Sequence, residues 1–402
     1  MRQLADSITP IIRIQAKVVL KLRVKIVIVG GGIVGLTTAY NLVKLGENDV
    51  VVLEQKYIAY GSSTRNAGHF RVHFWAPENT RFAIEARKRL LDFVSKIRWN
   101  AEIDLGGYLW LLYKEEHVKA YERSNREIWS KFDVSGKILT PEEISELFPY
   151  INLEGVIAGF YGPQDGKMNP NAIVFGYYEK AREMGVKFLP YTRVEKIIVD
   201  NNKVRGVQTN KGVIESEKVL VAAGGWSTKL LKSIGVDLPI EVERKEIGVT
   251  EPINYFIKPF IISLKSGVYV GQMVRGEVLG SIDYPVVKGL TPFNTTLDWI
   301  HKWSENAVEV VPQIKHLMFL RTWSGYYVVT PDHSHILGRD PEWPENLYVA
   351  TGFSGHGFMM APFAGEVMAK NLLYDEIDEL MKPYLPTRFK EEKLIHETMV
   401  IG

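Results

Sequence analysis

No cysteine occurs in the 402 residues. Disulfides, thiolate nucleophiles, cysteine-ligated metal and any cofactor tethered through a cysteine thioether are therefore excluded. Long apolar runs are also missing: none approaches the roughly 18 residues that a membrane-spanning helix needs. Nor does charge of one sign accumulate. With 49 basic and 47 acidic residues the formal charge is +2, and no extended block of like charge offers a footprint for nucleic acid or a membrane surface. His69 and His73 stand at no diagnostic ligand spacing, so no metal site is expected. The lack of thiols leaves the compartment open; a cytoplasmic protein fits, peripheral to a membrane only through a partner.

What is present is enough chain for more than one core, and two domains are expected. Residues 1–24 carry Arg2, Arg13, Lys17, Lys21 and Arg23 around short apolar pieces. Charge interrupts each piece, no small-residue cleavage site follows, and the twin-arginine pair is missing, so a targeting role is not expected. They read as an N-terminal extension, either a dispensable or misassigned start or a surface arm.

The rest is organised around Lys25 to Glu54, KIVIVGGGIVGLTTAYNLVKLGENDVVVLE. Val27, Ile28 and Val29 form an apolar run that stops at Gly30, and a helical pattern (Ile33, Leu36, Tyr40, Val43) begins within three residues. This is strand, tight turn, helix. Gly30, Gly32 and Gly35 stand at GxGxxG spacing: the first permits the turn, the second lets backbone approach a pyrophosphate, the third lets helix pack on strand. A second apolar run, Val50 to Leu53, ends in Glu54, a carboxylate placed to accept hydrogen bonds from ribose hydroxyls. The chain is thus expected to open by binding a dinucleotide.

Gly61 to Trp75 (GSSTRNAGHFRVHFW) is too polar for a core and too aromatic for a linker, and reads as a loop held against a ligand. Helices are expected over Glu78 to Ile97, from a capping box at Thr140, over Ala172 to Met184 and over Thr295 to Val310. Short strands with turn punctuation fill Val194 to Ala222 and run into Gly224 and Gly225, where a ligand fits beside the backbone. Near the end, Leu347 to Ala350 runs into the glycine loop Gly352, Gly355 and Gly357, followed by a helix expected at Phe363 to Leu373. A second helix N-terminus is thereby aimed at a ligand, favouring negative charge on it.

GGGIVG with Glu54, then GSSTRNAGHFR, VLVAAGGWS, GYYVVTPD and GFSGHGFMMAP, in that order, resemble the FAD-dependent amine and amino-acid oxidoreductases. That family contains sarcosine oxidase, glycine oxidase and D-amino-acid oxidase. Within it the likeness is to the beta subunits of heteromeric sarcosine oxidase and archaeal dye-linked L-proline dehydrogenase, whose C-terminal segment also reads GFSGHGFM. The resemblance covers Lys25 to about Leu373 and implies an α/β fold: a Rossmann-like FAD-binding domain with a discontinuous α+β substrate domain built on a mixed sheet. Breaks near Glu78, Gly155, Pro239 and Thr330 would give 25–78, 155–238 and 330–385 to the FAD-binding domain. Residues 79–154 and 239–329 would form the substrate domain, and 386–402 a C-terminal tail.

The resemblance further implies that Gly30, Gly32, Gly35 and Glu54 hold the dinucleotide. Ser62, Ser63 and Arg65 would run along the pyrophosphate and isoalloxazine, Val194 would meet adenine through its backbone, and Gly355, His356, Gly357, Phe358 and Met359 would form the loop at the flavin pyrimidine. His356 would face the flavin ring as a candidate catalytic residue, or else be a structural histidine hydrogen-bonded to backbone. Arg71 falls where monomeric sarcosine oxidase places an arginine on the substrate carboxylate, with Tyr327 in the same pocket and Arg321 as the next candidate cation. Gly325 stands where that enzyme has its flavin-linking cysteine, and Arg65 where dimethylglycine dehydrogenases have their flavin-linking histidine, so noncovalent FAD is expected. Met359 replaces a lysine that would share the carboxylate. Gly276 to Asp283 lacks the lysine with which the monomeric oxidase activates dioxygen, which points to a dehydrogenase.

The expected reaction is oxidation of a small amino acid with a secondary amine, proline or sarcosine, to an imine by hydride transfer to FAD. The alternatives are an FAD-binding subunit with little activity alone, a D-amino-acid or glycine oxidase, and a pyridine-nucleotide enzyme. Expected partners are the amino acid, a partner subunit or second copy, and a dye, quinone or dioxygen as electron acceptor.

Overall fold

The computed structural model describes residues 20–397. Two sheets dominate. In the first, the strand Leu20–Val29 lies between Gly212–Val221 and Val50–Leu53, with Leu347–Thr351 beyond the former and Lys187–Leu189 beyond the latter, all parallel. Ile336–Gly338 closes one edge antiparallel, and Val194–Asp200 and Lys203–Thr209 extend Gly212–Val221 as a meander. Ile26 and Ile28 enter one core and Val27 and Val29 the other, the pattern of a parallel sheet buried on both faces. The helix Ile33–Lys44 crosses Gly357–Tyr374 so closely that a Cβ on Gly365 would lie 2.4 Å from Thr37 Oγ1.

The second sheet is mixed. Phe260–Ser263 runs parallel to Tyr108–Leu112, while its other pairings are antiparallel, including the long pair Glu241–Pro252 with Phe319–Val329. The helix Leu297–Val310 packs Trp299, Trp303 and Ala307 against this sheet, and Thr296 Oγ1 accepts from Trp299 N as its cap.

Four expectations are corrected. The first strand begins at Leu20 and pairs with Gly212–Val221 from that residue, so the last five residues of the expected extension 1–24 belong to the sheet. The alternation LKLRVKI is itself a period-two strand signature. Residues 1–19 lie outside the described chain. The helix Pro77–Val94, expected mostly in the substrate domain, buries Phe82, Ala83 and Ala86 against Phe363, Ala364 and Val367 in the core of the first sheet. The strand Ala158–Gly162, beyond the expected break at Gly155, pairs with Tyr108–Leu112 in the second sheet.

The expected tail, finally, is docked as far as it is described. Arg388 grips Asp332 with Nε at 2.7 Å and Nη2 at 3.0 Å, and both are buried. The Glu397 carboxylate accepts from the backbone of Trp75 and Ala76 at 3.4 and 3.1 Å. Helix Pro77–Val94 has Ala76 at its N-cap position, with no side chain able to cap it, so this distant carboxylate satisfies amides that the local sequence leaves open. Among the described residues, no helix is long and apolar enough to cross a membrane.

Candidate functional site

The first sheet reverses direction of winding between Leu20–Val29 and Gly212–Val221, and the crevice at their C-terminal ends is where a parallel sheet of this kind takes a ligand. Gly30 sits there with φ +115°, and a Cβ on it would come within 2.3 Å of Ala222 O. Only glycine tolerates both conditions. A Cβ on Gly35 would meet Gly30 O at 2.1 Å, which is the helix-on-strand approach expected of the third glycine. Glu54 is buried; its two oxygens accept from Gly31 N at 3.0 Å and Lys56 N at 2.9 Å. Burial pushes its carboxyl up and those amides pull it back, and each oxygen keeps a lone pair for a hydroxyl donor.

The loop after Glu54 ties the two sheets together across the crevice. Ser62 Oγ donates to Tyr326 O and accepts from Tyr326 N, both at 2.9 Å, and Ser63 Oγ accepts from Ile33 N at 2.8 Å. Trp323 Nε1 donates to Arg65 O at 3.0 Å. The Arg65 side chain donates through Nε to Tyr60 O at 3.2 Å, with its guanidinium 4.1 Å over the Phe293 ring. From the other side, Gly352 to Gly355 leads into the helix Gly357–Tyr374, which starts six residues before the expected Phe363. Met360 N to His356 O closes its first turn, and Pro362 interrupts only one later bond.

These elements enclose a cavity of about 780 Å³. It is lined by Gly30, Gly32, Glu54, Ser62, Ser63, Arg65, Val194 and Gly224, and equally by Gly355, His356, Gly357, Phe358, Met359, Arg71 and Tyr327. Of the expected cofactor residues only Gly35 stands back from it, in its packing role. Arg71 is 2 % exposed; its Nη1 donates to His73 O at 3.0 Å, its Nη2 faces His356 Nε2 at 3.2 Å, and its guanidinium lies 4.2 Å over Phe74. Burial pushes the Tyr327 phenol up to about 12, so it remains a hydrogen-bond donor at neutral pH.

Arg321 does not belong to this site. It is exposed over Trp323, six residues up an extended strand from Tyr327, or roughly 20 Å at strand rise. The cavity does contain a cation that sequence reasoning missed. Lys245, opposite Gly325 in the strand pair, lines it with Nζ 3.6 Å from Glu243 and 5.6 Å from the Tyr327 ring centre. Alternation along Glu243, Lys245 and Ile247 puts these residues on one face, but only the partner strand shows that this face meets the cavity. His69 also lines it. Its Nδ1 lies 2.6 Å from Ala67 O and so carries the proton, leaving Nε2 as a buried acceptor without a partner among the described residues. Burial pushes its pKa down to about 3. No group of three or more His, Asp or Glu among the described residues could hold a metal.

The donor set fits FAD. Gly30 and Gly32 bring backbone to the cavity wall, Glu54 keeps lone pairs for a ribose, nothing stands within 4 Å of a Cβ built on Gly224, and a helix N-terminus at Gly357 faces the same space. A dinucleotide crevice closed by a mixed sheet, with a buried arginine beyond it, defines the class of flavin-dependent oxidoreductases. The chain belongs to the family DAO, FAD dependent oxidoreductase, whose model matches residues 25–371.

Among its relatives, the sarcosine oxidase subunit beta of Arthrobacter sp is 30% identical over 379 residues, covering 92% of each chain. The mitochondrial dimethylglycine dehydrogenase of Rattus norvegicus is 28% identical over 379 residues, covering 88% of this chain and 43% of its own length. Among solved structures, L-proline dehydrogenase from P. horikoshii is 36% identical with a TM-score of 0.87, covering 93% of this chain and all of that one.

Proposed function

We propose that this FAD-dependent oxidoreductase oxidises a small amino acid with a secondary amine, of the proline or sarcosine type, at the carbon beside nitrogen. The observation that carries this reading is Arg71, a buried guanidinium lining the same cavity as the Gly355 to Met359 loop. When bound, FAD supplies the acceptor for the hydride. Gly30, Gly32, Glu54, Ser62, Ser63, Val194 and Gly224 would hold it, with the first sheet as its domain and the second as the substrate domain. Arg71 holds the carboxylate, and Tyr327 offers a neutral phenol donor beside it. Tyr108, Phe260 and Tyr269 give the cavity an aromatic wall that excludes water and suits a ring or an N-methyl group. The amide groups and positive end of helix Gly357–Tyr374 favour negative charge on whatever lies against them. The names of the relatives, with sarcosine, dimethylglycine and proline as substrates, support the same class.

The cofactor would be held without a covalent bond, since the chain has no cysteine and presents Gly325 and Arg65 at the two expected linking positions. Acid or heat is expected to release FAD into the supernatant; flavin absorbance that stays with the denatured polypeptide would contradict this.

The acceptor is proposed to be a dye, quinone or partner subunit rather than dioxygen, and the beta-subunit relatives support a partner chain. An unneutralised cation beside the flavin would favour dioxygen as acceptor, because it would stabilise the negative charge that dioxygen gains. Lys288 and Arg275 do not line the cavity and are exposed in pairs with Glu241 and with Glu102 and Glu277. Lys245 does line it, but stands against Glu243 and within the field of Asp283, so the cluster adds no net positive charge. An anaerobic screen of flavin bleaching against proline, hydroxyproline, sarcosine, glycine and D-amino acids tests the substrate. Bleaching is expected with the secondary amines, and reoxidation in the stopped flow should be faster with a dye than with air-level oxygen. Bleaching by D-amino acids alone, or rapid peroxide formation, would overturn the respective half of the reading.

A further inference from the structure

His356 lies between the cofactor loop and the proposed carboxylate site, and its geometry settles which nitrogen holds the proton. Its Nε2 faces Arg71 Nη2 at 3.2 Å, with His356 6 % and Arg71 2 % exposed. A guanidinium only donates hydrogen bonds. Nε2 must therefore present its lone pair, and the proton of the neutral ring sits on Nδ1. A second proton would set two cations against each other out of water; burial and the Arg71 charge both hold the pKa of His356 well below the usual histidine range.

Two of the guanidinium's hydrogen-bond partners are of different kinds. His73 O, which accepts from Nη1 at 3.0 Å, belongs to Arg71's own segment. That segment is pinned from below: Asp165 accepts from Val72 N and pairs with His73 Nδ1, both at 2.8 Å, while His73 Nε2 faces Val134 O at 2.7 Å. His356 is an anchor from a distant element. It occupies the N-cap position of helix Gly357–Tyr374, with its backbone N donating to Phe353 O at 2.8 Å. Phe74 locks the arrangement, taking Arg71 on its face at 4.2 Å and the His356 ring edge-on at 5.0 Å.

We propose that His356 is a positioning residue: Nε2 accepts from Arg71, fixes the guanidinium relative to the helix that carries the cofactor loop, and so aims it at the substrate carboxylate, with no proton taken in the reaction. This rests on the amino-acid reading above. Its consequence is a division of labour, in which loss of the imidazole acceptor is felt in carboxylate binding and not in the chemical step.

The test uses FAD-loaded protein and two variants, His356→Leu, which removes the acceptor, and His356→Gln, whose amide oxygen can replace it. Cyclopentanecarboxylate, which cannot be oxidised at an amine, is titrated against the flavin spectrum, and KM and kcat are measured with the amino acid found in the screen. His356→Leu should weaken the probe and raise KM about ten-fold or more, as expected for losing a hydrogen bond to a charged group. Its kcat should change much less, and His356→Gln should recover most of the binding. A fall in kcat at unchanged KM in both variants, or probe binding unaffected by leucine, overturns the assignment. Should the leucine variant not fold, 15N spectra of histidine-labelled wild-type protein decide: a bare Nε2 and protonated Nδ1 on His356 at pH 7 support it, a protonated Nε2 refutes it. If no amino acid is turned over, the probe titration still reports on the Arg71 and His356 pair; if turnover stands and the titration fails, only this inference falls.

Discussion

Arg71→Ala is expected to leave FAD bound and to lower kcat/KM for carboxylated substrates by roughly 2 to 5 kcal/mol, between about thirty-fold and several thousand-fold. Much of that cost is the penalty of a buried carboxylate without its partner. FAD stays because Glu54 is held by Gly31 N and Lys56 N, Ser63 by Ile33 N and Gly30 N by Leu53 O, none of which involves Arg71. Arg71→Lys should recover only part of the loss, since an ammonium lacks the planar fork that reaches His73 O, His356 and a carboxylate together. An amine without a carboxylate, such as pyrrolidine, should be almost indifferent to either change. Steady-state kinetics with the two substrates reads this directly. Unchanged apparent affinity would move the carboxylate to Lys245, a further cation of the cavity near Tyr327, and not to Arg321.

Gly30→Ala should produce a colourless, less stable protein. Two separate costs arise at this position: φ of +115°, and a Cβ 2.3 Å from Ala222 O, a backbone atom just past the end of the neighbouring strand Gly212–Val221. Strain at a left-handed position and overpacking each cost roughly 1 to 3 kcal/mol. Relief by backbone movement would part the strands where the pyrophosphate is expected to lie. Gly46→Ala is the matched control, because Gly46 has φ of +93° but nothing within 4 Å of a Cβ. It carries the strain without the collision, and should lose stability while remaining yellow. The flavin-to-protein absorbance ratio and the Tm of both variants check the contrast; a yellow Gly30→Ala protein no less stable than the control would show that the close approach is not needed for FAD.

Much of the site was legible in the chain because its parts are local. A strand, a glycine turn and a helix follow each other within Lys25 to Lys44, and Glu54 ends the next strand, so elementary turn sterics and periodicity place four cofactor residues together with no long-range information. The loop Gly352 to Gly357 is local in the same way, although Pro362 obscured the true helix start, since one missing amide near the N-terminus costs less than a break in mid-helix. The resemblance carried Arg71 and Tyr327 into the same pocket, and the cavity contains both.

Domain boundaries were less legible, because a helix's partner is not written in its own pattern. Pro77–Val94 shows an apolar stripe, but that the stripe meets Phe363 and Val367 depends on residues nearly three hundred positions away. The docking of residues 386–397 is hidden in the sequence for the same reason: Arg388 and Glu397 look like solvated charges until Asp332 and the open amides at Trp75 and Ala76 are brought to them.

The sequence by itself determined the dinucleotide fingerprint, the absence of thiol chemistry and the family, because these depend on residue type and short spacing. Only the tertiary structure decided which cations reach the cavity. Arg321 and Lys245 are each a charged residue on a long antiparallel strand, indistinguishable by composition. The register of Glu241–Pro252 against Phe319–Val329 sets Lys245 beside Gly325, facing the cavity, and leaves Arg321 at the far end of its strand in solvent. Register is fixed by the pairing of two segments distant in sequence, and neither segment carries that information alone.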